Sequence, residues 1–172
     1  SGSTARMDVI SFDDRTISAA PDLPVAVRYP GVVNLPTDDV LITGGSSDYR
    51  GRSASDVLRA SLYTPSTNTL REAAPPHIGR NYHSEALLLP DGSVLTLGSD
   101  PLYGDAKNTS SGVFEQRMGI YRPPYFYTAG GRLTIVHAPT TFTRGSTISV
   151  HATGDITAAR LVRPSAVTHM TD

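Results

Sequence analysis

Apolar residues in this chain come in short runs closed off by Pro, Gly, Asp and Asn. Val32-Val33-Asn34-Leu35, Val40-Leu41-Ile42, Ala86-Leu87-Leu88-Leu89 and Val94-Leu95-Thr96-Leu97 are of this kind. An amphipathic helix would repeat apolar residues at i, i+3 and i+4 over about 11 positions. Only Ser53 to Leu62 approaches that spacing, and it fits a loop running into a strand as well. Pro90-Asp91-Gly92-Ser93 separates two of the runs with a tight-turn sequence, in which Pro presets φ and Gly accepts a positive φ. Leu133 to Val136, Thr147 to Val150 and Ala159 to Val162 extend the series of short runs. Short apolar segments at this spacing predict an all-β protein.

The strands repeat. Shifted by 54 positions, Leu35-Pro36-Thr-Asp-Asp-Val40-Leu41-Ile-Thr-Gly44 falls on Leu89-Pro90-Asp-Gly-Ser-Val94-Leu95-Thr-Leu-Gly98, and Ala19-Ala20-Pro21 falls on Ala73-Ala74-Pro75. Phe12 and Ile17 likewise resemble Tyr63 and Leu70, with a shorter turn between them. A period near 50 with a strand ending in Gly44-Gly45 is the kelch pattern of a β-propeller blade. One blade cannot bury both its faces alone, so it must stack on neighbours around an axis. Residues 1–127 supply roughly two blades, whereas a propeller needs about four or more. After Tyr127 the pattern changes. Thr128-Ala-Gly-Gly131 reads as a linker, and residues 128–172 read as the first strands of an immunoglobulin-like β-sandwich, which needs about seven. The expectation is an internal stretch of a larger protein: the last propeller blades and the start of a second domain.

Composition narrows the chemistry. The chain has 172 residues, formal net charge −1, and 18% charged residues. The absence of Cys removes disulfides, thiolate metal sites and cysteine nucleophiles. Near-neutral charge, with the arginines scattered, argues against phosphate-held nucleic acid. No apolar run approaches the roughly 18 residues of a membrane span. The polar start, Ser1 to Asp8, lacks the apolar stretch of a signal peptide, although a leader would lie upstream if the chain is part of something longer. No G-x-S-x-G elbow and no phosphate loop occur. Asp13-Asp14 and Asp38-Asp39 read as solvated turn carboxylates.

Among the five histidines, His77, His137 and His151 carry no metal-like surroundings and read as structural or exposed. His83 follows Tyr82 in Gly79-Arg-Asn-Tyr-His-Ser84. Phenolate and imidazole are both ligands for Cu(II) or Fe(III). In a regular strand, neighbouring side chains point to opposite faces. The pair can reach one metal only if the backbone is irregular there, which Gly79 and Pro75-Pro76 favour. The plainer alternative is that Tyr82 packs and His83 caps a turn. Tyr49, in the long stretch Ser46 to Asp56, reads as part of a solvated loop.

Three segments resemble the copper radical oxidases, the galactose oxidase and glyoxal oxidase group. Asn81-Tyr82-His83-Ser84 through Pro90-Asp91-Gly92-Ser93-Val94, followed by Gly98-Ser99-Asp-Pro101, is similar to a late blade of that family. Phe114 to Tyr125 resembles the strand that leaves the last blade, and Leu161 to His169 resembles the hairpin of the C-terminal sandwich that reaches back into the propeller. The Gly-Ser-x-Pro is closer to the glyoxal oxidase branch. The resemblance implies that Tyr82 is the axial ligand and general base, that His83 and His169 are the histidine ligands, and that the cofactor is Cu(II). It implies small aldehyde or primary alcohol substrates, O₂ as oxidant, H₂O₂ as product, and an extracellular or cell-surface location. The family's remaining ligand is a tyrosine crosslinked to a cysteine, which forms the radical. With no Cys, this chain cannot supply that group, and no tyrosine here matches it.

The competing reading is a non-catalytic kelch propeller and sandwich that binds a protein or a cell-surface glycan. An upstream Cys would separate the two, and the presence of all three ligand positions favours the oxidase. By either reading the isolated 172-residue chain is expected to be inactive and poorly folded.

Overall fold

A computed structural model of the chain describes residues 2–163. They fall into two compact units, one of residues 2–121 together with Arg163, the other of residues 122–162. Among the described residues there is no α-helix, only antiparallel strands and three short 3-10 segments. The all-β expectation holds for a physical reason. Runs of four or five apolar residues cut by turn formers are too short for helical turns to repeat, but they suit strands.

One sheet is complete. Strands β3 (Gly31–Asn34), β4 (Val40–Thr43), β5 (Ala60–Thr64) and β6 (Thr69–Ala73) pair in sequence order, all antiparallel, as a propeller blade. Before it lies a hairpin of β1 (Asp8–Ser11) and β2 (Thr16–Ala19). After it comes a three-stranded sheet of β7 (Ser84–Leu88), β8 (Val94–Gly98) and β9 (Gly119–Tyr121). The 54-residue repeat is visible in hydrogen bonds. The Leu35 N–H donates to the Asp39 carbonyl at 2.8 Å, and the Leu89 N–H donates to the Ser93 carbonyl at 2.8 Å. The weak helical candidate at Ser53–Leu62 resolves into the end of a 3-10 segment (Tyr49–Ala54), a loop, and the start of β5.

The two central strands, β4 and β5, are buried on both faces and read as continuous runs rather than alternating ones. Leu41 and Leu62 are 0% and 1% exposed, and Val33 and Val94 are equally enclosed. Ala20, Ile42 and Tyr63 pack with Met7, Val9, Leu23, Val40 and Leu70, which joins the β1–β2 hairpin to the four-stranded sheet. On the other side β3 packs beside β7. A Cβ on Gly31 would stand 2.7 Å from the Ala86 Cβ, so glycine is what permits this approach.

Asp39 differs from the solvated turn carboxylate that its position suggested. Its Oδ1 accepts from the Thr64 hydroxyl at 2.5 Å and its Oδ2 from the Arg71 guanidinium at 3.0 Å, so it ties the β3–β4 turn to β5 and β6.

In the second unit β10 (Ile135–His137) pairs with β11 (His151–Ala152) across a bulge. Thr147 to Val150 and Ala159 to Val162, expected as strands, are not strands here. A strand needs a neighbour for its N–H and C=O groups. Within the described residues of this unit only one short pair forms, and Ile135, Val136 and Leu161 stay exposed.

Candidate metal centre

The site begins from a buried arginine. Arg80 is 3% exposed, and its guanidinium donates to the carbonyls of Gly98 at 2.9 Å, Thr96 at 3.2 Å and Arg117 at 2.6 Å. It thereby links the end of β8 to the segment that enters β9. Burial draws its pKa below the ordinary arginine value, and the Glu115 carboxylate opposes that shift. Asn81 follows, also buried. Its N–H donates to the Ser99 hydroxyl at 3.0 Å and its Nδ2 to Asp56 Oδ1 at 2.8 Å. Gly79 makes room for this, because a Cβ there would lie inside the Asp56 carboxylate.

With Arg80 and Asn81 fixed, the chain turns sharply before β7. His83 has φ +57°, the left-handed region that a residue with a Cβ seldom adopts. The Ser84 N–H and hydroxyl both donate to the Asn81 carbonyl, at 3.1 and 2.7 Å, which closes the turn. The turn cancels the strand alternation. The Tyr82 and His83 rings lie on one side, stacked with centroids 3.9 Å apart and planes 26° from parallel. The irregular backbone that a shared metal would require is present.

Three more side chains enclose the pair. The Tyr29 ring meets Tyr82 edge-on at 5.2 Å. The Arg50 guanidinium carbon sits 3.9 Å from the Tyr82 ring centroid. Asp100 Oδ2 lies 3.3 Å from Arg50 Nη2 and 3.8 Å from His83 Nδ1. An open groove bordered by Tyr29, Pro30, Asn81, Tyr82, His83, Ser84 and Glu85 lies over the rings, and the His83 side chain is 64% exposed to it.

The donor chemistry fits a borderline metal such as Cu(II). Imidazole and phenolate are suitable ligands, and a carboxylate facing Nδ1 is the usual outer support of a ligating histidine, leaving Nε2 as donor. Two donors do not complete a site. His169 lies outside the described residues. Among those residues no group of three His, Cys, Asp or Glu converges.

The chain is 32% identical over 162 residues to a galactose oxidase of Gibberella zeae, a match that covers 90% of this chain and 23% of that one. It is 34% identical over 112 residues to the aldehyde oxidase GLOX of Vitis pseudoreticulata, covering 62% of this chain and 21% of that. The chain belongs to the copper radical oxidase family. It spans about a quarter of the length of these curated relatives. No family model matches it. A solved copper complex, described as a fungal alcohol oxidase of the AA5 family, shares its fold with a TM-score of 0.71 at 19% identity, over 89% of this chain and 33% of that one.

Sequence reasoning about this copper radical oxidase chain singled out Tyr82 and His83 as candidate ligands, and the structure sets them side by side. It missed Arg50, Asp100 and Tyr29. Arg50 stands in the Ser46 to Asp56 stretch, which read as solvated. Instead the stretch is closed by Ser46, fully buried, whose hydroxyl lies within donating distance of the carbonyls of Asp48, at 2.8 Å, and Ser55, at 3.2 Å. The Asp48 carboxylate caps the 3-10 segment through the Tyr49 N–H at 2.7 Å, and this bond with the Arg52 guanidinium holds its pKa below the usual carboxylate range. The available signal for such a built loop was Ser46-Ser47-Asp48, hydroxyls and a carboxylate ahead of a turn. The structure also brings together His137 and His151, which face each other across β10 and β11 with ring centroids 5.9 Å apart.

Proposed function

We propose that this chain carries most of the copper ligands of an oxidase acting on small aldehydes or primary alcohols. An alcohol and O₂ would give an aldehyde and H₂O₂. A hydrated aldehyde and O₂ would give a carboxylic acid and H₂O₂. The observation that carries the reading is the left-handed turn at His83, which puts a phenol and an imidazole on one side. A backbone outlier of this kind costs about 1–3 kcal/mol and persists where the surroundings enforce it.

Copper would be held by Tyr82, His83 and His169. When bound it supplies a one-electron acceptor and a position for the substrate oxygen. The hydrogen-abstracting radical is assigned to a Tyr–Cys pair in the longer protein that this reading requires, since this chain has no Cys. Tyr82 then has a defined task. Its phenolate oxygen takes the proton of the substrate hydroxyl as general base. His83 would hold the metal by its imidazole, with Asp100 Oδ2 3.8 Å from Nδ1. The Arg50 guanidinium lies over the Tyr82 ring and keeps that face covered. In the same reading residues 1–127 are propeller blades, residues 128–172 open the sandwich domain, and the protein acts outside the cell or at its surface.

The test is peroxide release by the copper-loaded longer protein, offered small aldehydes and primary alcohols. Turnover is expected, and His169→Ala should abolish it. No peroxide on any of these substrates would sink the oxidase and favour a binding propeller.

A further inference from the structure

Tyr82 is enclosed more completely than a packed tyrosine needs to be. Two planar groups, the His83 imidazole and the Arg50 guanidinium, each centre 3.9 Å from its ring centroid. Groups of that size cannot share one face at that distance, so they occupy opposite faces and sandwich the ring. Asp100 spans the edge of the sandwich. Its Oδ2 is the atom that meets both Arg50 Nη2, at 3.3 Å, and His83 Nδ1, at 3.8 Å. Its Oδ1 accepts from the Leu102 N–H at 3.1 Å, and its own N–H donates to the Tyr82 carbonyl at 2.6 Å. The carboxylate therefore has little freedom to turn away.

Exposure separates the partners by role. The Arg50 and Asp100 side chains are 16% and 17% exposed, against 64% for His83. The charged pair lies beneath the rings, and the imidazole faces the groove. Arg50 is itself left-handed, at φ +56°, and is held in place by the loop that Ser46 and Asp48 close. Two adjacent aromatic ligands on an irregular turn have several rotamers open to them. A charged strut beside both narrows that choice.

We propose that Arg50 and Asp100 form a clamp that fixes the Tyr82 phenol and the His83 imidazole in one mutual orientation, making them positioning residues of the metal centre. The inference rests on the copper reading of Tyr82 and His83. It goes beyond that reading by assigning ligand geometry to a loop and a residue that act through Tyr82 and His83.

The experiment uses the longer protein loaded with Cu(II) and compares wild type, Arg50→Met, Arg50→Lys, Asp100→Asn and Tyr82→Phe. Copper affinity is measured by chelator competition, the Cu(II) electron paramagnetic resonance spectrum is recorded, and kcat and KM are measured. Arg50→Met should weaken copper binding about 10- to 100-fold, the range for loss of an outer support. It should also change the copper hyperfine splitting and lower kcat with KM changed less than about threefold. Arg50→Lys keeps the charge without the planar fork and should restore the affinity only partly. Asp100→Asn keeps the shape and loses the charge, and it should reproduce the spectral change if Arg50→Met does not fold. Wild-type affinity and spectrum in folded Arg50→Met and Asp100→Asn would overturn the clamp. The copper reading fails separately if the wild type binds no stoichiometric copper or if Tyr82→Phe leaves the spectrum unchanged, and the clamp falls with it.

Discussion

Arg80→Met in the longer protein tests whether one buried guanidinium holds together the base of the site. Arg80 is 3% exposed and donates to three backbone carbonyls, at 2.6, 2.9 and 3.2 Å. Hydrogen bonds from a charged donor contribute about 1.5–3 kcal/mol each. Three of them do not add, because they act as one group. Arg80 also loses part of their value, since its Nε is buried without a partner. Methionine fills similar space but leaves three carbonyls facing an apolar chain. Each buried acceptor left unsatisfied costs about 1–3 kcal/mol, so a loss of about 3–5 kcal/mol is expected for the three together. Lysine can reach one or two of the acceptors and should recover about half. A two-domain protein does not unfold in one step, so global denaturation is a poor assay. Native-state hydrogen exchange at the amides of β7, β8 and β9 measures the local opening free energy directly. Protection in β3–β6 should be much less affected. A change below about 0.5 kcal/mol in β7–β9 for Arg80→Met would refute the reasoning, since a surface substitution does as little.

Glu115 is held far below the ordinary carboxylate range, to about 2, chiefly by the Arg117 side-chain hydrogen bond and then by the Arg117 N–H. The folded pKa is depressed, so its stabilisation is fully present above about pH 4.5 and is lost as pH falls through about 2. A carboxyl-carbon NMR titration should give a midpoint near 2 that rises in Arg117→Ala, and a wild-type midpoint above 4 would contradict the Arg117 contact. Leu62→Ala should destabilise by about 2–5 kcal/mol, because Leu62 is 1% exposed at the centre of the blade. Hydrogen exchange in β3–β6 reads this change, and a loss under 1 kcal/mol would show that the blade is loosely packed there. Gly79→Ala should displace Asp56, break its bond to Asn81 and alter the copper spectrum without removing a ligand. An unaltered spectrum would mean that the turn at Tyr82-His83 does not depend on Asn81.

How much could be read from the chain alone varied with the range of the interaction. The β3–β4 and β7–β8 hairpins were legible because a hairpin is set by its own turn residues, and the same turn chemistry occurs twice at a fixed offset. Strands β10 and β11 were legible only in part. The apolar runs around them matched the pattern, but pairing decides whether a run is a strand, and pairing is not local. Tyr82 and His83 showed as adjacent ligand types, yet whether they share a side turns on φ at His83, which no residue there announces. Arg50 and Asp100 could not be found by pattern. They reach the site from a separate loop and a separate strand end, and only folding makes them neighbours.

Of the nine non-glycine residues with positive φ among the described residues, six fall in two settings. Arg15, Asp38 and Asn68 have positive φ in the tight turns between paired strands, where two of the three are Asp or Asn, residues that tolerate this conformation. Tyr29, Arg50 and His83 also have positive φ, at +58°, +56° and +57°, and of these types only histidine is enriched there. All three touch Tyr82. Two of the buried polar atoms without a partner, Arg50 Nε and Asn81 Oδ1, lie on the same framework. Each outlier costs about 1–3 kcal/mol, and each orphaned buried atom about as much again. Hairpin closure can be achieved with Asn and Gly at less expense, as at Asn68 and Gly92. The share of that cost that falls around Tyr82 and His83 is not the cost of closing a hairpin. It is the cost of holding those two rings in an arrangement that the strand itself would not adopt.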